Sequence, residues 1–568
     1  MHLSKRLFVL VCLLAAPVAA FSQTPDGITA KVDAVFAAYD KPDSPGCALG
    51  VIKEGKLVHT RGYGMANLEH NIPNGSKLVY DIGSTSKQFT AACIQLLAAE
   101  DKLSLDDDVR KFIPELPQYQ QLIRIRHLLH HTSGLRDYLA LFSLAGVNFD
   151  GITTEDDALK VILRQQGLNF TPGDEWVYSN SGYFLLSIVI KRASGKSFAE
   201  YAKEKIFDPL GMTHTLIVDN HKRIVPMRAT GYSPNPRATQ SGSFQTEMSK
   251  FEQTGDGAVQ TSVEDLLLWD RNFYNPKVGG PEFLKWMHEV GAFNSGEKHD
   301  YASGLFIDKH KGLNTVSHGG SWAGYRSELL RFPDQKLSVV CLCNLGAANP
   351  SRMALQVAAL YLAGEIKKAQ AAVASGAGAN ANGGKSELTE AQMKEIAGLY
   401  RNPANGEMAR VTFRNEKLYF DKFGAPSEMT PHAADQFSIA QPVGDARIPI
   451  AVERSADGKR RLRVSPPNRP AQVFDAVEAF KPAAAQLADF TGSYFSEELD
   501  VAYVMSLEGG TLNVANREER KRPLNPTFKD SFALLSGVQF EFHRDVQGRV
   551  AGFVVHVGRI RNVKFVKR

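Results

Sequence analysis

The chain has 568 residues, 43% of them hydrophobic and 22% charged. These are the proportions of globular protein, and they exclude collagen-like, fibrous and wholly disordered chains. With 66 Lys and Arg against 61 Asp and Glu, the net charge is only +5, too diffuse for a nucleic-acid-binding protein, which concentrates basic residues on one face.

Residues 1–22 read as a secretory signal peptide. Lys5 and Arg6 give the positive start, Leu7 to Leu14 a short apolar run, and small residues follow, so that cleavage fits after Ala20 or Ser22. The run is too short to span a bilayer, and Cys12 lies inside it, not after it. No stable membrane anchor is therefore expected, and in a bacterium the mature chain would be periplasmic or secreted. Four cysteines remain: Cys47, Cys93, Cys341 and Cys343. Cys341 and Cys343 alternate around Leu342 and read as small buried residues on one strand face, with an isolated bridge left open.

Residues 23–366 mix both periodicities. Ala48 to Thr60 reads as a hairpin turning at Glu54-Gly55, Lys87 to Ala99 as an apolar helix, and Ala158 to Gln165 and Tyr183 to Ala193 as further helices. Asn314 to Ser317 and Leu337 to Leu345 read as strands. Helices beside hairpins of antiparallel type predict an α+β domain. Residues 367–388 are rich in Ala, Gly and Asn, have almost no large apolar residues, and read as a linker.

Beyond it lies a weak internal repeat. Ile396 to Tyr400 matches Phe490 to Tyr494, and Leu418 matches Leu512, all at an offset of 94 residues. Pro431, Asp435 and Phe437 match Pro526, Asp530 and Phe532 at an offset of 95. Short alternating runs such as Arg410 to Phe413 and Gly552 to Val557 are separated by the turn signals Asn415-Glu416, Asp457-Gly458 and Gln547-Gly548. Two small all-β barrels, 389–480 and 481–568, are expected.

Three motifs in residues 23–366 carry chemistry. The first is Ser84-Thr85-Ser86-Lys87. Three residues along a helix is about one turn, so the hydroxyl and the amine share a face. A lysine there can take the hydroxyl proton, and the Ser84 N–H at the helix start is free to serve an oxyanion. The second is Tyr178-Ser179-Asn180, where Tyr178 and Asn180 project the same way from an extended loop as a phenol for proton transfer and an amide for substrate. The third is His318-Gly319-Gly320-Ser321 after the strand Asn314 to Ser317, where glycines let a ligand backbone approach closely and leave the Ser321 N–H free as a second oxyanion donor, a plain glycine turn being the other reading.

Together these motifs resemble the serine β-lactamase and penicillin-recognising enzyme superfamily, whose set is Ser-x-x-Lys, Tyr-x-Asn and a Lys-Thr-Gly or His-x-Gly third motif. The segments Leu128 to Leu135, Pro172 to Tyr183, Pro209 to Met212 and Thr261 to Leu266 are similar to its class C β-lactamase-like branch. The resemblance covers about 30–365. The layout with two lipocalin-like barrels is similar to that of the D-aminopeptidases in this branch. It implies a serine hydrolase working without metal or cofactor: Ser84 as nucleophile, Lys87 and Tyr178 sharing proton transfer, Asn180 orienting substrate, and Ser321 with His318, Gly319 and Gly320 forming the facing wall. It implies a small peptide, amide or ester substrate, most of all amides containing D-amino acids. Carboxylesterase, D-Ala-D-Ala carboxypeptidase and β-lactamase are the alternatives within the fold. A non-catalytic sensor of wall fragments is the alternative outside it. The oligomeric state stays open.

His318 stands where many β-lactamases carry Lys, and an unperturbed imidazole titrates near ~6.5. That favours substrates without an obligatory carboxylate beside the scissile bond. Arg326 reads as a structural arginine with a carboxylate anchor as its other reading. Trp322 and Tyr325 either wall the pocket or pack beside it. His127, His130 and His131 do not form a zinc motif of the His-Glu-x-x-His kind. Arg517 to Arg522 read as a solvated loop that could reach the active-site mouth.

Overall fold

The computed structural model describes residues 26–238, 243–376, 388–422, 426–440, 447–516, 521–535 and 537–568. The signal-peptide residues and most of the Arg517 to Arg522 run lie outside the described residues.

The catalytic-type domain is built on a six-stranded antiparallel sheet. Its order is Phe306–His310, Leu313–Trp322, Tyr325–Phe332, Leu337–Cys343, Cys47–Lys53 and Lys56–Tyr63. The Cys47–Lys53 strand pairs with Leu337–Cys343 from Cys47↔Cys343 to Lys53↔Leu337, so the two ends of the domain meet at its centre. Both strands are apolar almost throughout because both sheet faces are covered. Leu49, Val51, Val339 and Cys341 pack toward the helices Asp26–Phe36 and Pro350–Tyr361. Ala48, Val340 and Leu342 point the other way, into the core that includes Phe89 and Trp269. Alternate residues thus serve opposite layers.

The expected hairpin forms, and its turn residues Glu54 and Gly55 both have positive φ, 50° and 71°, the two-residue turn that matches strand twist. The Lys87–Ala99 helix is present. The Ala158 to Gln165 helix is Glu155–Leu163, started three residues earlier by a capping box of Thr154 and Asp157. The Tyr183 to Ala193 helix is Asn180–Ser194, ended by Gly195 at φ 74°. One bound changes: the strand expected over Asn314 to Ser317 runs from Leu313 to Trp322 and so contains residues 318–321.

The bridge left open in the sequence is Cys47–Cys343. Cys343 is therefore a cross-strand tether, while Cys341 and Cys93 are the buried free thiols. The stretch expected as a linker also changes: the helix Ala363–Gly376 occupies its first residues, and 377–387 lie outside the described residues.

Two nine-stranded antiparallel sheets follow, each a nearly closed barrel. In both, the first strand pairs with the last: Gly398–Arg401 with Gln472–Val477, and Gly492–Ser496 with Ile560–Lys567. In both, the unpaired edges are neighbours in sequence, on either side of Met429 and of Leu524. The repeat is visible as identical contacts. Tyr400 donates its hydroxyl to Ile396 O at 2.6 Å, and Tyr494 donates to Phe490 O at 2.8 Å. Leu418 and Leu512, and Phe437 and Phe532, fill equivalent core positions.

The second barrel is docked on the catalytic domain through polar contacts. Arg136 pairs with Glu498 at 2.5 Å, both buried. Tyr503 donates to Leu144 O at 2.7 Å. Arg561 bridges all three units, reaching Glu175 of the catalytic domain at 3.0 Å and Glu407 of the first barrel at 2.9 Å. No helix among the described residues is long and apolar enough to cross a membrane.

Candidate active site

Ser84 lies in a short 3-10 turn, Gly83–Ser86, that feeds directly into the Lys87–Ala99 helix. Gly83 has φ 48°, and a Cβ there would meet Ser321 N at 2.8 Å. A glycine is required because the turn rests on the strand that carries the third motif. Gly320 has the same explanation: a Cβ would fall 1.9 Å from Ile82 O and 2.4 Å from Ser327 Oγ. These glycines admit the chain's own serine turn, where the sequence suggested room for a ligand backbone. Thr85 fixes the turn further by donating to His318 O at 3.0 Å and lying 2.9 Å from Ser327 Oγ. Ser84 and Ser321 thereby stand side by side on the wall of one cavity of about 1080 Å³.

Lys87 is fully buried and its ammonium has three acceptors: Ser84 Oγ at 3.1 Å, Asn180 Oδ1 at 3.0 Å and Asp256 O at 2.6 Å. An ammonium has three donors, so this arrangement fills them all. Lys87 Nζ also stands 4.9 Å from the centroid of the Tyr178 ring. The Tyr178 hydroxyl is buried and has no hydrogen-bond partner among the described residues. The structure thus gathers Ser84, Lys87, Tyr178 and Asn180 into one cluster.

Ser179 is extended backbone, whereas Asn180 is the first residue of the Asn180–Ser194 helix. The junction is held from two sides. Asn180 N–H donates to Asp137 Oδ2 at 2.7 Å, and Ser179 N–H donates to His131 Nδ1 at 3.2 Å. The His131 ring packs 4.2 Å from that of Tyr178. Burial, then Lys87, holds the His131 imidazole well below its usual range, which keeps Nδ1 an acceptor. Two of the three clustered histidines are therefore occupied by backbone, His127 Nδ1 receiving Arg124 N–H at 3.2 Å.

His318 is buried. Its Nδ1 lies 2.7 Å from Gly319 O and its Nε2 lies 3.1 Å from the Tyr301 hydroxyl. Nδ1 is thus the protonated nitrogen, and Nε2 accepts from Tyr301. Burial first, then Lys87, lowers its pKa to about 3. The sequence-based expectation of an imidazole titrating near neutrality is corrected: the low-dielectric site beside an ammonium keeps it neutral. A Cβ at Gly319 would meet Glu328 Oε2 at 2.9 Å.

Arg326 is structural, its Nη1 donating to Ala323 O at 2.8 Å and Tyr325 O at 2.6 Å. Tyr325 packs, with its buried hydroxyl donated to Ala229 O at 2.5 Å. Trp322 lines the cavity with its ring on Phe251.

Several site residues gave no sequence signal. Asp256 supplies a backbone carbonyl to Lys87, which any residue type could do. Its own carboxyl accepts from Tyr138 Oη at 3.0 Å and is raised to about 6 by burial, against the pull of Lys87. Trp176 lines the cavity and the buried Tyr301 packs against it, 6.0 Å apart between ring centroids. From the barrels come Arg469, Arg559, Pro466 and Pro467. Among the described residues these and Ile448 bring the barrels to the mouth, and Lys521 is paired with Glu508.

A family model described as Beta-lactamase matches residues 32–363, and the chain belongs to that family. A D-aminopeptidase of Gluconobacter oxydans is 26% identical over 492 residues, covering 86% of this chain and 86% of that protein. Penicillin-binding protein 4* of Bacillus subtilis is 30% identical over 406 residues, covering 68% of this chain and 86% of that protein. Among solved structures, the octameric penicillin-binding protein homologue from Pyrococcus abyssi aligns with a TM-score of 0.53 at 23% identity, over 79% of this chain and 99% of that one. That structure supports the fold.

Proposed function

We propose that the protein is an exported serine hydrolase that forms an acyl-enzyme on Ser84 and cleaves amide bonds in short peptides or amides containing a D-amino acid. The observation that carries this reading is Lys87 Nζ held at 3.1 Å from Ser84 Oγ by Asn180 and Asp256, beside a Tyr178 hydroxyl with no hydrogen-bond partner among the described residues. Ser84 Oγ attacks the substrate carbonyl as one member of the Lys87–Tyr178 pair, in its deprotonated form, takes the hydroxyl proton, and the pair then gives that proton to the leaving amine. The N–H groups of Ser84 and Ser321 hold the oxyanion, each worth about 3–4 kcal/mol in well-measured cases. Water then releases the acid. Asn180 fixes Lys87 and presents its amide to substrate, and neutral His318 and Gly319 line the opposite wall.

The D-amino-acid preference is supported by the D-aminopeptidase relative, which extends across 86% of this chain. Export is supported by the character of residues 1–22 and by the Cys47–Cys343 bridge, which persists in oxidising compartments. The similarity to penicillin-binding protein 4* favours one second reading, a carboxypeptidase of cell-wall peptides.

The deciding experiment is hydrolysis of a D-alanyl anilide and a short-chain nitrophenyl ester by wild type and Ser84→Ala. Anilide cleavage lost in the variant supports the D-aminopeptidase reading. Ester turnover alone, lost in the variant, moves the assignment to esterase. Equal activity of the two proteins on both compounds refutes the mechanism.

A further inference from the structure

The mouth of the cavity is completed by two arginines, one from each barrel. Arg559 sits in the two-residue turn Gly558-Arg559 between the strands Val550–Val557 and Ile560–Lys567. The turn is fixed by Asn169 of the catalytic domain, whose amide donates to Arg559 O at 2.8 Å and accepts from Arg561 N at 2.8 Å. The Arg559 guanidinium then rests 4.6 Å from the centroid of the Tyr178 ring. Arg469, from the segment between Arg460–Val464 and Gln472–Val477, rests 3.8 Å from the centroid of Trp176.

Neither cation is saturated. Among the described residues the Arg559 side chain has no hydrogen-bond acceptor. Its one ion pair, to Asp137 Oδ2, is 3.6 Å long, and that oxygen already accepts from Asn180 N at 2.7 Å. Arg469 has a 3.4 Å contact with Asp300. A guanidinium carries five donors arranged to meet a carboxylate in pairs. Of the other cavity carboxylates, Asp81 accepts from Gly83 N, Asp256 from Tyr138 and Glu328 from Ser351, while Asp308 accepts from Lys309 N. On the facing strands His318 is neutral, and Arg326 has its Nη1 turned onto the Ala323 and Tyr325 carbonyls.

We propose that Arg559 and Arg469 form an anion subsite on the leaving-group side of the scissile bond, so that the preferred substrate is a short peptide with a free carboxylate close beyond that bond. This rests on the reading that Tyr178 serves the leaving amine: the cation seated on its ring faces the same part of the substrate. The barrels are then part of the specificity site, and simple amides lack the group that it binds.

The test compares D-Ala-Gly with D-Ala-glycinamide, which share the scissile bond and differ in the carboxylate alone. Wild type is expected to favour the free acid by about tenfold in kcat/KM, the effect of one charge-assisted contact. Arg559→Gln and Arg469→Gln should bring the ratio toward one, chiefly through KM, and Arg559→Lys should restore part of it. A ratio of one in wild type, or a ratio unchanged in both Gln variants, overturns the proposal. If neither dipeptide is cleaved, the D-peptide reading fails and the subsite is read separately. There, 3-carboxyphenylboronic acid and phenylboronic acid are compared as inhibitors of nitrophenyl ester hydrolysis. Tighter inhibition by the carboxylated compound, lost in Arg559→Gln, supports the subsite. Equal inhibition by the two, or none by either, overturns it.

Discussion

Arg136 of the catalytic domain and Glu498 of the second barrel form an ion pair 2.5 Å long in which each side chain is only 3% exposed. Glu498 also accepts from Gln166 N at 2.9 Å and Lys564 N at 3.2 Å, so the buried charge is satisfied on all sides. Removing one member of such a pair strands the other, at a cost of about 3–5 kcal/mol. Glu498→Ala is therefore expected to lower the melting temperature and to open the domain junction to protease. A calorimetric scan with limited proteolysis checks this, and an unchanged scan would refute the docking role.

The saturated environment of Lys87 separates two residues by severity. Lys87→Ala removes the proposed proton-transfer group and should reduce kcat/KM by about 10²–10⁴. Asn180→Ala leaves the lysine held by Ser84 and Asp256 O, and should cost less. Steady-state kinetics on the same ester or anilide gives the order, and an Asn180→Ala loss equal to that of Lys87→Ala would contradict it.

His318 should stay neutral through the working pH range, since burial and Lys87 lower its pKa to about 3. Its ring carbon signals in NMR should not titrate between pH 5 and 9. Replacing it with the lysine of many β-lactamases would bury a second ammonium near Lys87. His318→Lys is thus expected to lose stability and not to gain turnover of a chromogenic cephalosporin.

Glu328 gives a pH signature of opposite sign to a surface carboxylate. Burial raises its pKa from 4.5 to about 7, so between these values the folded protein holds a proton that the unfolded chain releases. The stabilisation from Glu328 is complete below pH 4.5 and is lost as pH rises toward 7. Glu328→Gln keeps a partner for Ser351 and removes the ionisation. Its melting temperature should exceed that of wild type at pH 8, by an amount that vanishes near pH 4.5. A constant difference across that window would show that Glu328 is not the group.

The Cys47–Cys343 bridge closes a loop of 296 residues. Loops this long give the larger disulfide effects, about 2–5 kcal/mol. Cys47→Ser should lower the melting temperature and leave reductant without further effect on it. A variant as stable as wild type would mean that strand pairing alone holds the domain ends.

Much of this was legible in sequence because it is local. Ser84 and Lys87 share a helix face through a spacing of three, and the Glu54-Gly55 turn and the capped helices follow from short-range backbone preferences. The repeat was readable because Tyr400 and Tyr494 each need the same carbonyl four residues back. The strand expected to end at Ser317 runs on through the third motif, although glycines usually interrupt strands. Here Gly320 lies within one, for the long-range reason that Ile82 O packs against it. Likewise His318 offered a titratable imidazole until its burial beside Lys87 was known, and the bridge between Cys47 and Cys343 depended on the register of two strands nearly 300 residues apart.

By itself, then, the sequence determined the family, the α+β domain with two β-barrels, and the four residues Ser84, Lys87, Tyr178 and Asn180, all carried by short motifs with their own backbone logic. Only the tertiary structure decided the charge state of His318, the structural use of Arg326, and the arrival of Arg469 and Arg559 over Trp176 and Tyr178. Those three are settled by desolvation and by contacts between distant segments, and neither leaves a pattern along the chain.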